Sequence, residues 1–470
     1  MLEPLVRSSL PGLQPVYDRF PSPARHLLTS ARGWLLTRLR YSSRTFTLLR
    51  ALRRDESWST EQIELFQLYA LRQTLDHAAR TVPFYAGYPR NELRTLEDLR
   101  KLPILDRETV LQNQERLLSQ AIPSDRRIRA GTTGTTGTSL RVAYSERLVS
   151  ENWAFLLRQW AWAGVPPRHP RVTLQGSRIV PAARTKPPFW TYNIPERQVL
   201  MSIFHLSEST AEDYLEFLQR HSGRVLEGFP SVLAMLADFA LQRQLRIPMR
   251  AIFTSGEPLY PDARAKLREA FQAPVFDTYG MTEYCGLIQE CECGGSHLVP
   301  EYGFLEILDP RGNPSSPGEE GDFVWTGFLN EAMPLIRYRI GDRGRWLHGV
   351  SCPCDRAFPL VLPTITRESD ILRCPDGRLF SPRALNQLLK NAASLRFCQF
   401  VHDRPSRVVV RAVARPDSQA AGELMDIRAA LQALLGPEMQ AVAELASTPI
   451  SRAGGKIPLI VSKAIGEVTQ

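Results

Sequence analysis

The sequence predicts an α/β chain: a large N-terminal domain of helix-flanked β-sheets plus a β-rich piece, followed by a small α+β C-terminal lid domain. Three observations carry this. From Gly131 to about Gly344, short apolar runs such as "RVTLQG", "RVLEGF", "MRAIFTSG" and "APVFDTYG" alternate with longer helix-like stretches such as "AEDYLEFLQRH" and "SVLAMLADFALQRQL". That alternation belongs to a sheet covered by helices. The run "EYGFLEILDPRGNPSSPGEEGDFVWTGF" differs, with two strand-like segments around a Pro/Gly/Asn/Ser turn. After "RESDIL", the strands "FCQFVHD" and "RVVVRAVA" and the helix "ELMDIRAALQALL" form a separate α+β segment of about 100 residues. We therefore divide the chain at 1–366 and 367–470, with a helical region 1–125 and a core 126–366 inside the first part.

At 470 residues the chain exceeds one ordinary core. Residues 60 to 120 read as helical: "EQIELFQLYALRQTLDHAART" is amphipathic, acidic early and basic late, and "VPFYAGYP" breaks it. No apolar run reaches membrane-span length, and the start "MLEPLVRSSLPGLQP" lacks the layout of a secretion signal. The expected location is the cytoplasm. The formal charge of +9 is weak evidence for a nucleic-acid partner, because arginine is spread along the chain and lysine is scarce. One local exception is "RHLLTSARGWLLTRLRYSSRTFTLLRALRR", Arg25 to Arg54, where Leu, Trp and Phe alternate with Arg at helical spacing. It could lie on an anionic membrane surface; the preferred expectation is a helix packed on its own domain with its arginines facing water.

The stretch "AGTTGTTGTSLRV", Ala130 to Val142, offers backbone N–H groups and hydroxyls with no side-chain bulk, as a polyphosphate cradle requires. The alternative is a flexible linker, but linkers seldom run straight into an alternating apolar segment. Four further patches follow. "FTSGEPL" (Phe253 to Leu259) is a strand and small-residue turn that lets a flat base approach the backbone. "DTYGMTEYCG" (Asp277 to Gly286) brings an aromatic, a glycine, a hydroxyl and a carboxylate close together. "PLIRYRIGDRG" (Pro334 to Gly344) ends a strand with Asp342 in a turn, placed to accept two ribose hydroxyls. "ISRAGGKIPL" (Ile450 to Leu459) delivers one lysine from a glycine-rich turn.

In order and spacing these five patches resemble the adenylate-forming superfamily of acyl- and aryl-CoA ligases, adenylation domains and luciferases. The likeness is strongest to its phenylacetate-CoA ligase branch and related polysaccharide-cluster proteins. "VPFYAGY", "LPILDRETV" and "LEGFPSVL" are also like that branch, and the resemblance covers roughly residue 60 to the end. It implies a cofactor-binding set. Thr132, Thr133, Gly134, Thr135, Thr136, Gly137 and Thr138 would hold the β- and γ-phosphates of ATP. Tyr279, between Asp277 and Gly280, would stack on adenine, flanked by the turn Ser255, Gly256, Glu257 and Pro258. Asp342 would take the ribose hydroxyls with Arg367 beside them. Of the catalytic residues, Thr282 and Glu283 sit in the same patch, and Glu283 would bind Mg2+. Lys456 would stabilise charge on the α-phosphate and substrate carboxylate. As a lid-loop residue, it is expected to face solvent in the open form.

The loop is not that of a P-loop ATPase, because Thr138 and Ser139 stand where a lysine would be needed. Thr138 also replaces the usual lysine of the superfamily's phosphate loop, as happens in this branch. "TRESD" replaces the usual Gly-Arg-x-Asp-Asp hinge and puts Ser369 at the hinge aspartate, which bears on whether the lid swings as in other CoA ligases. The lysine patch lacks the common Pro-x-Thr lead.

Seven cysteines, an odd number, argue against a disulfide framework. "CECGGSH" and "CPC" look like two halves of a tetrahedral site. Matching the Cys-x5-His and Cys-x-Cys pairs of related branch members gives Cys291, His297, Cys352 and Cys354 for a structural Zn2+, with Cys293 as the substitute for Cys291. Four unlinked loop thiols are the alternative. Cys374 and Cys398 read as buried apolar residues. Trp153, Phe155, Trp160, Trp162, Phe189, Trp190, Phe204 and Phe229 supply aromatic surface for an acyl pocket, although many belong to a core. They give a mild preference for a flat aromatic or apolar acid.

The expected activity is ATP-dependent formation of an acyl-adenylate followed by transfer to a thiol, with CoA as the expected co-substrate. An amine or carrier-protein acceptor is the first alternative, and an inactive zinc-stabilised scaffold the second. The sequence sets neither the acid nor the oligomeric state.

Overall fold

The computed structural model describes residues 14–88, 93–131, 140–176, 179–181, 183–257, 259, 261–316, 318–363, 372–376, 378–380, 384–385, 387–389, 392, 394–414, 420–447, 450 and 459–462. The glycine-threonine loop from Thr132, Pro258, Arg367, Ser369 and Lys456 lie outside these residues.

The chain opens with α1 (Gln14–Arg19), α2 (Ser22–Arg40), α3 (Ser43–Asp55), α4 (Thr60–Thr81) and α5 (Arg107–Gln112). Ser59 and Gln62 form a reciprocal capping box that starts α4. Between α4 and α5 the described chain holds only short 3-10 turns, Pro83–Tyr85 and Leu96–Lys101, so the helical reading of 60 to 120 holds mainly for its first third. The reason is local: prolines at 83 and 103 lack the N–H that would continue a helix. Asp106 then caps α5 by accepting from Thr109 N at 2.8 Å.

The hairpin β1 (Ile128–Gly131) and β2 (Arg141–Tyr144) brackets the glycine-threonine loop in antiparallel register, Gly131 opposite Arg141. Helix α6 (Glu146–Trp162) follows, buried on most of its surface. The main sheet contains β3 (Arg171–Gln175), β4 (Trp190–Asn193), β5 (Gln198–Ser202), β6 (Val225–Gly228), β7 (Ala251–Ser255), β8 (Val275–Gly280), β9 (Leu287–Glu290) and β10 (Ser296–Leu298). Helices α7 (Ala211–Arg220), α8 (Pro230–Gln242) and α9 (Pro261–Phe271) connect its strands. The strand order is β10-β9-β8-β7-β6-β3-β5-β4. The inner five run parallel, while β4, β9 and β10 are antiparallel additions. Parallel strands joined by helices bury both faces, which is why "VTL", "VLEG" and "AIFTS" are continuous apolar or small-residue runs.

The β-rich piece is a second, antiparallel sheet of β11 (Gly303–Leu308), β12 (Gly321–Gly327), β13 (Tyr338–Trp346) and β14 (Val361–Pro363). A short pair, β15 (Leu372–Arg373) and β16 (Leu379–Phe380), precedes the C-terminal unit. That unit is a four-stranded sheet of β17 (Leu395–Arg404), β18 (Arg407–Ala414), β19 (Gln440–Leu445) and β20 (Ile460–Ser462), with α10 (Ala420–Leu435) between β18 and β19. Leu424, Ile427, Leu431 and Leu435 of α10 are buried at helical spacing. Cys374 and Cys398 are buried, as expected.

Seven of the eight aromatics offered for an acyl pocket are buried and Trp190 is partly buried against the core, in keeping with the expectation that many belong to a core. One expectation needs correction: the basic N-terminal stripe is inverted on α2, whereas on α3 Leu49 and Leu52 are buried and Arg44, Arg50, Arg53 and Arg54 are exposed, as expected. On α2 the inward face carries Arg25, Gly33, Leu36 and Arg40, whereas Leu27, Leu28, Trp34 and Leu35 face outward. The cause is a polar anchor: Arg40 pairs with buried Glu196 at 3.0 Å, and Thr37 Oγ1 donates to the same carboxylate at 3.0 Å. Gly33 lies so close to Asn193 that a Cβ there would meet its Oδ1 at 1.7 Å. Among the described residues, no helix is long and apolar enough to cross a membrane.

Candidate active site and metal cluster

The ends of parallel β7 and β8 lie side by side, with Ser255 opposite Thr278. Ligands of open α/β sheets bind outside such carboxyl ends. Gly256 turns the chain there with φ +86, a left-handed conformation that favours glycine. Asp277 and Tyr279 stand at the neighbouring strand end. Gln159 of α6 pins this end by donating to the Asp277 carbonyl at 2.9 Å and accepting from Thr278 Oγ1 at 2.7 Å.

The Asp277 carboxylate accepts from Thr254 Oγ1 at 2.6 Å, and burial pushes its pKa up to about 6. Tyr279 packs parallel to Trp325, at 6.3 Å between centroids, and edge-on to Phe323. Gly286 leaves room for Trp325, since a Cβ there would come within 2.2 Å of the indole.

The Tyr279 hydroxyl donates to Asp342 Oδ2 at 2.7 Å. This contact joins two patches that are 63 residues apart in sequence. Asp342 does not sit in a turn, as the sequence reading had it, but within β13, exposed beside Gly341 with φ +93. Pairing with β12 shifts between Asp322 and Val324, so β13 is bulged there and its local twist redirects the side chain.

Glu283 lies behind this pair and is only 4% exposed. Burial raises its pKa, opposed by the charge of Arg107. Tyr338 faces both Glu283 and Arg107. Arg107 arrives because the segment before α5 pairs with β13: Leu105 N donates to the Arg337 carbonyl, and Arg339 N donates to the Leu105 carbonyl, each at 2.9 Å. Arg337 anchors that contact through buried Glu306, at 2.8 and 2.9 Å. Sequence reasoning assigned no role to Arg107 or Tyr338. Arg107 lies inside the quoted "LPILDRETV", but nothing in its spacing announces a partner 176 residues downstream.

The structure thus brings Ser255, Gly256, Glu257, Asp277, Tyr279, Gly280, Thr282, Glu283 and Asp342 to one end of the main sheet.

A second cluster lies near the far ends of β9 and β13. The ligand atoms of Cys291, His297, Cys352 and Cys354 all fall within 4.8 Å of one another. Cys291 Sγ is 3.5 Å from Cys352 Sγ, and Cys354 Sγ is 3.3 Å from His297 Nε2. The sulfur pair is too far apart for a disulfide but near the roughly 3.8 Å expected of two thiolates on one tetrahedral Zn2+. His297 Nδ1 donates to the Phe358 carbonyl at 2.9 Å, which leaves Nε2 free to ligate. Burial lowers the His297 pKa, which favours the neutral ring. Gly295 completes the cradle: a Cβ there would approach Cys352 Sγ to 2.6 Å and His297 Nε2 to 2.9 Å. Cys293 is exposed and outside the group.

Comparison with known proteins agrees with this architecture. The family described as AMP-binding enzyme matches residues 132–329. Protein CapK of Staphylococcus aureus is 25% identical over 336 residues, covering 70% of this chain and 72% of CapK. Phenylacetate-coenzyme A ligase of Escherichia coli (strain K12) is 25% identical over 314 residues, covering 63% of this chain and 70% of the ligase. A crystal structure of 2-hydroxyisobutyryl-CoA ligase with 2-HIB-AMP and CoA shares the fold. Its TM-score is 0.57 at 19% identity, with 88% of this chain and 92% of the ligase covered. Residues 132–329 thus match the AMP-binding enzyme family, and the chain is similar over most of its length to CapK and the phenylacetate-CoA ligases.

Proposed function

We propose that the enzyme activates a carboxylic acid with ATP, releases pyrophosphate and transfers the acyl group from the adenylate to the thiol of CoA. The observation that carries this reading is the 2.7 Å bond between Tyr279 and Asp342 at the carboxyl end of the parallel strands. It unites the proposed adenine platform with the proposed ribose acceptor. The activity named for the phenylacetate-CoA ligases among its relatives supports CoA as acceptor.

In the first step a carboxylate oxygen attacks the α-phosphorus, and the bond to the bridging oxygen of pyrophosphate breaks. In the second, sulfur attacks the acyl carbon and AMP leaves. Positioning and charge stabilisation supply the catalysis. Tyr279, the turn Ser255 to Pro258 and Asp342 with Arg367 hold the nucleoside, and residues Thr132 to Thr138 hold the phosphates. Lys456 offsets charge at the α-phosphate.

Glu283 fits a divalent cation: burial raises its proton affinity despite the opposing charge of Arg107, and a second positive charge would favour the ionised form. Mg2+ held there would neutralise charge on the departing pyrophosphate. The Cys291, His297, Cys352 and Cys354 set fits structural Zn2+, because four protein ligands leave no open position. The C-terminal unit, from the proposed boundary at 367, acts as the lid.

The test is acid-dependent exchange of labelled pyrophosphate into ATP across a panel of carboxylic acids, followed by AMP release on adding CoA. Exchange with at least one acid and CoA-dependent turnover are expected. No exchange with any acid would overturn adenylation. Exchange followed by turnover with an amine alone would replace CoA as acceptor, the alternative that Ser369 raises.

A further inference from the structure

On α2 the exposed residues Leu27, Leu28, Ala31, Trp34, Leu35 and Arg38 recur at helical spacing and form one face. Leu27 is 72% exposed and Leu35 59%, so among the described residues nothing covers this apolar stripe, on a helix whose other face is bound to the body. Ile194 continues it: its side chain is 73% exposed, and its backbone N–H donates to Ser30 Oγ of α2 at 3.2 Å. A contiguous exposed apolar patch of this kind marks an interaction surface.

Charge says what the surface meets. Residues 19–54 contain nine arginines and no Asp, Glu or Lys. Removing those nine from the chain's 58 Lys and Arg leaves 49, equal to its 49 Asp and Glu. The net charge of +9 equals the charge of this stretch; Arg25 and Arg40 face inward, and Arg38 is the arginine on the exposed face of α2. Arg38 lies over the exposed face of Trp34, with Cζ 4.1 Å from the ring centroid. Arg168 and Arg197 are exposed at the rim near Ile194, where Arg168 Nη2 donates to the Pro195 carbonyl at 3.1 Å. The nearby carboxylate of Glu196 is turned inward and neutralised by Arg40 and Arg171.

We propose that this face of α2 docks the enzyme on an anionic lipid bilayer. The leucines enter the acyl boundary, Trp34 sits at headgroup depth, and Arg38, Arg168 and Arg197 meet lipid phosphates. A second copy is a poorer occupant, because a two-fold contact would set the two arginine-rich faces against each other. The surface is also a convex stripe rather than a groove suited to a peptide. This inference does not depend on the adenylation chemistry.

The test is co-sedimentation of the full chain with vesicles of phosphatidylglycerol and phosphatidylcholine in equal parts, compared with phosphatidylcholine alone. At least about tenfold more binding to the anionic vesicles is expected, falling as salt rises past the Debye-screening range. The double variant Leu27→Glu with Leu35→Glu should lose about tenfold of that binding. Its melting temperature should be unchanged, because both side chains are exposed. Absence of binding to anionic vesicles, or equal binding by the double variant, would overturn the proposal. So would self-association without lipid that the same variant abolishes, because the face would then belong to a second copy.

Discussion

Lys456→Ala lowers acid-dependent pyrophosphate exchange by about a thousandfold, the cost of removing a charge-stabilising group from a transition state in which anion attacks anion. The proposed attack brings a carboxylate to an α-phosphate, so the field of one ammonium at that point matters more in the transition state than in binding. An ammonium on a flexible stem can follow a charge that moves from the carboxylate to the bridging oxygen. Lys456 is one of six lysines in 470 residues, so few others can take its place. The variant should keep the parent melting temperature and bind ATP within a few-fold of it, which separates loss of chemistry from loss of fold. Exchange within about threefold of the parent would remove Lys456 from the mechanism.

Removing the zinc proposed for the four-ligand cluster should lower the melting temperature by on the order of 10 °C, because structural zinc contributes several kcal/mol to folding. The cluster sits where the two sheets of the large domain meet. Leu298 N of β10 donates to the Pro359 carbonyl beside β14 at 2.8 Å, and His297 bridges Leu360. Around it lie Trp162 and Phe358, with Arg356 stacked over Trp162 at 4.4 Å and paired to Glu56 and Glu292. Losing the metal would leave three thiols and an imidazole crowded together, with backbone hydrogen bonds, apolar contacts and ion pairs left to hold the junction. Cys352→Ser with Cys354→Ser should reproduce the destabilisation and reduce the zinc content from about one per chain to near zero. A purified chain without zinc, whose melting temperature ignores chelators, would reduce the cluster to unlinked thiols.

Much of the large domain could be read directly. Strand and helix alternate in "RVLEGF" and "SVLAMLADFALQRQL" because parallel strands bury both faces and their helices bury one. The antiparallel sheet was visible in the turn-rich "DPRGNPSSPGEEGD". What escaped was set by long-range geometry. The inverted α2 follows from Glu196, more than 150 residues away, which draws Arg40 and Thr37 inward. Hydrophobic periodicity records that an amphipathic face exists, not which face the fold buries. The bulge that moves Asp342 out of a turn and into β13 depends on pairing with β12. Arg107 reaches Glu283 only because Leu105 pairs with β13. Aromatic richness between Trp153 and Phe229 located buried residues, but composition does not distinguish a pocket wall from a packed core.

The central claim is that separate segments converge on one nucleotide, and a crystal structure with bound AMP tests it most directly. The account predicts the adenine stacked on Tyr279 at about van der Waals distance, both ribose hydroxyls within hydrogen-bond reach of Asp342, and the phosphate toward the loop after Gly131. AMP bound in a different cleft, with Tyr279 and Asp342 bonded only to each other, would contradict it.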